Sequence, residues 1–350
     1  MQPEIFVLTL GVVLAGLFFW GFRTLPGERW QVIGCLLSEK YPDGAWKGLN
    51  LTYYGFFNAA AYLSAAVLFF ILMGSLSVPV FGAMAILTAV LTICMPASKL
   101  IAFWVEGKAN TFTVGGASFI GLIAAPWIIQ FIDGAMGGRM GFHAPVLSVL
   151  AAVSVAYAVG EGIGRLACIS FGCCYGKPLS ACHPLLQRIF AGRAFIFSGQ
   201  TKKIAYAHHL DGQEVIPIQA VTALLLTGAG ILGCYGFLKG FHVATFAGLL
   251  VVTQAWRALS EFLRADYRGT GRITAYQVMA LLSILYTFLL LAFFPADGGE
   301  IPDLKAGLLA LWEPGVILFF EVLWIAAFIH TGRSRVTGAT VRLHVVKENI

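Results

Sequence analysis

The chain has 350 residues, of which 59% are hydrophobic and 11% are charged, and its formal net charge is +6. Soluble domains carry roughly 25% charged residues, so this composition excludes a soluble globular protein and indicates a chain that lies mostly in lipid. A secreted disulfide scaffold is excluded as well, because the 7 cysteines belong to a long and apolar chain.

Nine apolar stretches are long enough to cross a bilayer, which takes about 20 residues as a helix. Backbone groups in lipid must be hydrogen-bonded within the segment, so the sequence predicts an all-α polytopic membrane protein. The first stretch has Glu4 as its sole charge before Arg23, which indicates a retained span and not a cleaved signal peptide. The predicted spans are residues 3–22, 53–73, 78–104, 115–132, 144–163, 216–237, 243–262, 273–294 and 309–329.

Two polar segments separate these spans, at residues 23–52 and 164–215, and the second is long enough to form a small cap outside the membrane. Nine spans place both segments and the basic tail after residue 332 on the same side of the membrane. That side carries 19 Lys and Arg residues, against 3 on the other side. The positive-inside rule therefore predicts that the basic side faces the cytoplasm.

The seventh span carries charges, which are costly in a membrane and usually mark function. Residues 254–266 read QAWRALSEFLRAD, and Arg257 and Glu261 are four apart, so they share one face of a helix. Arg264 adds a third charge about one turn on. An arginine held by a glutamate can present its planar fork to a phosphate. The alternative is an ion pair that only neutralises itself inside the helix bundle.

A second charged cluster lies at residues 161–176, EGIGRLACISFGCCYG. Glu161 and Arg165 are again four apart, and the glycines permit tight turns and close approach of the backbone to a ligand. Arg165 is therefore a second candidate cation for an anionic ligand. The alternative is an arginine that extends its charge to the membrane surface.

The cysteines of this region have two interpretations. Cys168, Cys173, Cys174 and Cys182 lie near His183, a set of residue types that can bind zinc. The adjacent pair Cys173-Cys174 is not a typical chelating spacing, so small buried apolar side chains are favoured and no metal site is predicted. A nucleophilic thiol and a metal-dependent membrane enzyme remain alternatives. No nucleotide-binding motif or zinc-protease motif occurs, and we expect neither a cofactor nor a nucleic-acid partner.

Several blocks, in order, resemble the prolipoprotein diacylglyceryl transferase family. GRLACISFGCCYG at 164–176 resembles the family signature, and RALSEFLRAD at 257–266 resembles its Arg-x-x-x-Glu-Phe-x-Arg block. The resemblance covers residues 53–294, and implies a seven-helix core of this family with the cap at about 164–215. Residues 1–52 add a span and a polar loop, and residues 295–350 add a span and a basic tail. The other matching blocks are YYG at 53–55, WVEG at 104–107, GGASFIG at 115–121, IPIQ at 216–219 and Gln277.

The resemblance also implies a donor lipid and a set of site residues. Members of the family bind phosphatidylglycerol and move its diacylglyceryl group to a cysteine thiol, releasing glycerol phosphate. Arg165, Arg257 and Glu261 are then expected to be catalytic, with Glu261 orienting Arg257, and Tyr54 is expected to contact the headgroup. The remaining substrate-binding positions are Gly115, Gly116, Ser118, Cys168, Cys173, Gly176, Gln219 and Arg264.

Three positions depart from the family. Its histidine corresponds to Ile120, its signature asparagine to Cys168 and its glutamate to Cys173. Because Ile120 cannot accept a proton, the general base must come from elsewhere. Glu161 is the nearest candidate, with Cys168 and His183 behind it. The chain therefore looks like a divergent member of the family, one that lacks the histidine.

The function predicted from these residues is a multi-pass lipid transferase of the bacterial inner membrane. It would move a diacylglyceryl or related group from an anionic phospholipid to an unidentified lipid, sugar or protein-thiol acceptor. A non-catalytic phospholipid-binding or lipid-transporting protein is one alternative, and a prolipoprotein diacylglyceryl transferase proper is another. Members of the family work on the outer face of the membrane, whereas the Lys and Arg distribution predicts the inner face. The seven-span resemblance favours the outer face.

Overall fold

The computed structural model describes residues 2–107, 113–267, 271, 273–296 and 301–350. Within these residues nine helices are long and apolar enough to cross a membrane, so the predicted all-α polytopic membrane protein is confirmed. The helices Pro184–Phe190, Lys203–His208 and Leu304–Ala310 are too short to span, and Gly138–Met140 continues the span that begins at Val114. In chain order the helices are α1 (Pro3–Thr24), α2 (Tyr53–Ser75), α3 (Val80–Glu106), α4 (Val114–Ile132), α5 (Gly138–Met140), α6 (Val146–Phe171), α7 (Pro184–Phe190), α8 (Lys203–His208), α9 (Ile218–Leu238), α10 (His242–Ser260), α11 (Ala275–Phe293), α12 (Leu304–Ala310) and α13 (Pro314–Gly332).

Helix α6 lies at the centre of the bundle, packed against α2, α9 and α10. Its apolar window is 78% buried, whereas the windows of α1 and α13 are 17% and 22% buried. Glycines let its neighbours approach closely. A Cβ at Gly160 would lie 2.8 Å from Cβ of Ala65 in α2, and one at Gly162 would lie 3.1 Å from the carbonyl oxygen of Ala223 in α9. Side chains on this part of α6 are therefore held inside protein and away from lipid.

The end of α6 differs from the prediction. The apolar stretch was expected to end at residue 163, but the helix continues to Phe171 because Gly164 does not interrupt it. Gly172 ends it with a φ of +69°. The amide of Cys173 then donates to the carbonyl of Cys168 at 3.0 Å, which closes a Schellman-type cap. The cap segment thus begins at about residue 172, not at 164.

A small sheet occupies the segment predicted as a polar loop and part of the basic tail. Strands β1 (Val32–Lys40) and β2 (Trp46–Thr52) form an antiparallel hairpin. The cap contributes a short hairpin of β3 (Phe195–Ile196) and β4 (Glu214–Val215). Strand β5 (Arg333–Val341) joins the edge of β2, so the order of the larger sheet is β1-β2-β5. The first polar segment and the tail therefore lie at the same end of the bundle, as nine spans require.

A buried lysine fastens the cap to this end of the bundle. Lys202 is 0% exposed, and its Nζ donates to the carbonyl oxygens of Leu25 at 3.2 Å and of Ser170 at 2.6 Å. Burial lowers the pKa of Lys202 from 10.5 to about 8. Docking of the cap is consequently linked to the loss of a proton at alkaline pH.

We expect the cap to be held more tightly as the pH rises from about 8 to 10.5. In this range the undocked cap keeps Lys202 protonated while the docked cap has lost the proton, so docking gains up to about 3 kcal/mol. Hydrogen exchange of cap amides, corrected for the intrinsic rate at each pH, measures the change. Lys202→Met lacks the titrating amine and is the control. If the protection of cap amides changed with pH equally in the wild type and in Lys202→Met, the link between docking of the cap and the proton on Lys202 would be contradicted.

Candidate functional site

A cavity of about 460 Å³ lies where the bundle meets the cap and the sheet. Helices α2, α3, α4, α6, α9, α10, α11 and α13 line it, together with β5 and the start of the cap. Among the described residues its wall carries seven basic and four acidic side chains. The wall therefore carries an excess of basic side chains, which attracts an anion. These side chains are Lys99, Arg165, Lys203, Arg257, Arg264, Arg333 and Arg335, with Glu106, Glu161, Glu261 and Asp266.

Two arginines from different helices meet on one carboxylate in this wall. Arg165 Nη2 donates to Oε1 of Glu161, one turn earlier in α6. Arg257 Nη2, from α10, donates to Oε2 of Glu161 at 2.7 Å. The Glu161 side chain is 4% exposed, and the side chains of Arg165 and Arg257 are 11% and 13% exposed. Two guanidinium groups share one anion, so this group of three keeps one excess positive charge.

Tyr157 completes the network. Its hydroxyl donates to Oε2 of Glu161 and accepts from Nη2 of Arg257. The sequence analysis did not single out Tyr157, although it lies four residues before Glu161 on the same face of α6. Both oxygens of Glu161 are thus occupied by protein donors. This geometry suits a residue that fixes the positions of Arg165 and Arg257.

Each of the two guanidinium groups keeps a donor without a partner. Nε of Arg165 and Nε of Arg257 are buried and have no acceptor among the described residues. A buried donor left unpaired costs about 1–3 kcal/mol or more for a charged group, so such atoms call for an explanation. An oxyanion in the cavity would supply the missing acceptors, because its oxygens bind guanidinium groups in a planar, often bidentate arrangement.

Arg257 does not pair with the carboxylate that the sequence predicted. Helix α10 ends at Ser260 and continues directly into a 3₁₀ turn that begins at Glu261. Oε2 of Glu261 accepts from Oγ1 of Thr274 at 3.2 Å. The structure thus pairs Arg257 with Glu161, where the sequence predicted Glu261.

Arg264 is held by a carboxylate of its own. Its Nε and Nη2 donate to the two carboxylate oxygens of Asp266 at 2.8 and 2.9 Å. The side chain is 7% exposed and lines the cavity. Because this pair is neutral, Arg264 adds hydrogen-bonding capacity to the wall but no net charge.

Nine of the predicted site residues line the cavity and four do not. Two of the four form hydrogen bonds with the backbone: Oγ of Ser118 donates to the carbonyl of Gly115 at 3.0 Å, and Nε2 of Gln219 donates to that of Cys173 at 2.9 Å. The lining residues are Tyr54, Gly115, Glu161, Arg165, Cys168, Cys173, Arg257, Glu261 and Arg264, and those outside the lining are Gly116, Ser118, Gly176 and Gln219.

Gly115 has a direct steric role in the site. A Cβ at this position would lie 3.1 Å from Nη1 of Arg257 and 2.9 Å from the ring of Tyr276. Glycine therefore leaves the room in which the Arg257 guanidinium group reaches the cavity. Tyr276 is itself fixed by its hydroxyl, which donates to Oε1 of Glu106 at 2.8 Å.

Three cysteines form a cluster in the same wall. The sulfur atoms of Cys168, Cys173 and Cys174 all lie within 4.8 Å of one another, an arrangement that can hold a metal ion. Cys182, which the sequence placed in the same group, lies outside it and donates to the carbonyl of Pro178. The sequence analysis did not single out three further residues of the cavity wall, His330, Arg333 and Arg335. They lie at the cavity because β5, which follows α13, pairs with β2 from a distant part of the chain.

Comparison with known proteins does not assign the chain to a family. No family model matches it, no curated protein matches it, and no solved structure matches it. The likeness to prolipoprotein diacylglyceryl transferases therefore stays a prediction from the sequence blocks alone.

Proposed function

We propose that this membrane protein binds the phosphate of an anionic phospholipid between Arg165 and Arg257 and transfers a glyceryl-linked lipid group to an acceptor. The observation that carries the proposal is the pair of guanidinium groups fixed on Glu161, each with a buried Nε donor that has no acceptor in the described part of the chain. A tetrahedral phosphate offers several oxygens, so one ligand can satisfy both donors.

The surroundings support a charged headgroup as the ligand. The volume of about 460 Å³ falls within the usual 300–1,000 Å³ of small-molecule sites. The excess of basic side chains in the wall favours an anion over a zwitterion. The site also lies at the end of the spanning helices, the level at which a headgroup meets the acyl region of a bilayer. An anionic phospholipid has both properties, with phosphatidylglycerol as the donor that the family resemblance favours.

Separate roles follow for the residues of the network. Arg165 and Arg257 would stabilise the negative charge of a departing glycerol phosphate, an electrostatic contribution that is commonly the largest in such reactions. Glu161 and Tyr157 would hold the two guanidinium groups in place before the lipid arrives. Tyr54, which lines the same cavity, would contact the headgroup. The proposed location is the bacterial inner membrane.

The test is product formation from labelled phosphatidylglycerol, with membranes from cells that lack the protein as the source of acceptor. We expect released glycerol phosphate from the wild type and a rate at least about 100-fold lower for Arg257→Ala, the scale seen when a donor to transition-state charge is removed. Arg139→Ala is the matched control, because Arg139 is exposed and lies in α5 at the other end of the bundle. Normal product formation by Arg257→Ala would remove the arginine from the mechanism.

A second candidate function is binding or transport of the same lipid without turnover. It is favoured by the occupation of both Glu161 oxygens by donors, which leaves this carboxylate poorly placed to accept a proton. Binding to nanodiscs that contain phosphatidylglycerol, but not to phosphatidylcholine nanodiscs, without released glycerol phosphate would select this candidate. Loss of that binding in Arg257→Ala is expected under both candidates.

A further inference from the structure

The three clustered thiols are placed by the way α6 ends. Cys168 lies in the last turn of the helix, and the Schellman-type cap at Gly172 folds the next residue back so that its amide meets the Cys168 carbonyl at 3.0 Å. Cys173 and Cys174 therefore follow directly over the end of the helix. All three sulfur-bearing side chains line the cavity, and none of them forms a disulfide.

The backbone at Cys174 adopts a conformation that side chains other than glycine rarely take. Its φ is +56°, one of three positive φ values at non-glycine positions in the described chain. A left-handed conformation at such a residue costs on the order of 1 kcal/mol, and residues held in sparsely populated conformations cluster at active sites and ligand sites. Here it accompanies the approach of the Cys174 sulfur to those of Cys168 and Cys173.

Basic side chains share the cavity wall with the cluster. Arg165, Lys203 and Arg264 line the same cavity as the three cysteines. Cysteine binds metals as the thiolate, and a bound metal ion itself removes the proton from a coordinating thiol.

We propose that Cys168, Cys173 and Cys174 bind one thiophilic metal ion, Zn²⁺ or Cu⁺, through three thiolates, with a further coordination position open to the cavity. Zn–S bonds of about 2.3 Å put the sulfur atoms about 3.8 Å apart in a tetrahedron. In the structure the three sulfur atoms lie within 4.8 Å of one another. Rotamer adjustments of about 1 Å would therefore bring them to the spacing of the metal-bound state. No histidine or carboxylate joins the cluster among the residues described, so a fourth ligand would come from the cavity.

This arrangement matches the general pattern of open metal sites, in which three protein ligands leave one position for water or substrate. Three thiolates and a divalent ion carry one net negative charge, and Lys203 lies in the same cavity wall. The site is separate from the contact between Arg165, Arg257 and Glu161, and it does not depend on the lipid chemistry proposed above.

Metal content of the full chain, purified without chelator and under reducing conditions, tests the proposal. Elemental analysis is expected to show close to one zinc or copper ion per chain, and the identity of the element distinguishes the two. Metal-free reduced protein titrated with Cd²⁺ is expected to develop a sulfur-to-metal absorption band that saturates at one equivalent. The Cd²⁺ titration uses the wild type alone, so it does not depend on whether a variant folds.

Variants give the second part of the test. Cys168→Ser, Cys173→Ser and Cys174→Ser are each expected to lower the metal content at least tenfold, whereas Cys234→Ser, which changes a buried cysteine outside the cluster, is expected to keep it. Arg257→Ala is expected to keep the metal while losing lipid product, so failure of one proposal is distinguishable from failure of the other. A wild type that gives no saturating Cd²⁺ band, or equal metal content in the wild type and Cys173→Ser, would overturn the site.

Discussion

Replacing Glu161 with alanine is expected to destabilise the protein by about 3–5 kcal/mol, because it leaves the Arg165 and Arg257 guanidinium groups buried without their shared anion. Removing one partner from a buried pair costs this much, since the remaining charge cannot regain water. Here two charges are stranded, Arg165 on α6 and Arg257 on α10, with side chains that are 11% and 13% exposed. Arg257→Ala is expected to cost less, because Arg165 and Glu161 still form a neutral pair.

The free energy of unfolding in detergent, measured by denaturant titration, checks this order. Glu4→Ala is the matched control, because Glu4 pairs with Lys239 at 2.7 Å on the exposed surface of the opposite end, and its loss is expected to change stability little. The triple variant Glu161→Leu, Arg165→Leu and Arg257→Leu removes all three charges. It is expected to recover stability while losing anion binding. If Glu161→Ala lowers the free energy of unfolding no more than Glu4→Ala does, the contacts of Glu161 with Arg165 and Arg257 are not buried.

Gly55→Ala is expected to separate α2 from α13 at the rim of the cavity and to cost about 3 kcal/mol, the upper range for overpacking. A Cβ at Gly55 would lie 2.0 Å from Cα of Gly332 and 2.4 Å from its backbone nitrogen. Backbone atoms cannot rotate away as a side chain can. The same crossing includes the hydrogen bond from Oγ1 of Thr52 to the carbonyl of Gly332, at 2.9 Å, and α13 leads directly into β5.

Thermal unfolding and protease cleavage within β5 measure the effect of Gly55→Ala. Gly228→Ala in α9 is the control, because nothing lies within 4 Å of a Cβ added there. Alanine is a better helix former than glycine by about 1 kcal/mol, so the control is expected to be neutral or slightly stabilising. If Gly55→Ala lowers stability while Gly228→Ala does not, the close approach of Gly55 to Gly332 is the cause of the difference. Equal effects would mean that α13 is not held against α2 at this point.

The spanning helices could be predicted from sequence because each is specified by its own composition. A stretch of about 20 apolar residues must be helical in lipid whatever surrounds it. The sheet could not be predicted in the same way, since β5 pairs with β2 across most of the chain. One local signal was present: Pro42-Asp43-Gly44 is a typical turn sequence, and Gly44 has a φ of +82° in the turn between β1 and β2.

The candidate site was predictable only in part, for a related reason. Spacing along a helix identified Glu161 and Arg165, which do interact. Spacing also suggested Arg257 with Glu261, but Arg257 donates to Glu161 and Glu261 accepts from Thr274. The contact between Arg257 and Glu161 joins two helices, and their relative rotation is set by packing, which a single sequence does not reveal.

The pairing of β5 with β2 also determines when the cavity is completed during biosynthesis. A ribosome delivers the β1–β2 hairpin early, whereas β5 can follow only after α13 has been inserted into the membrane. Until then the β2 edge has no neighbour, and the wall that contains His330, Arg333 and Arg335 is missing. The cavity wall of a partly made chain therefore stays incomplete until β5 has paired with β2.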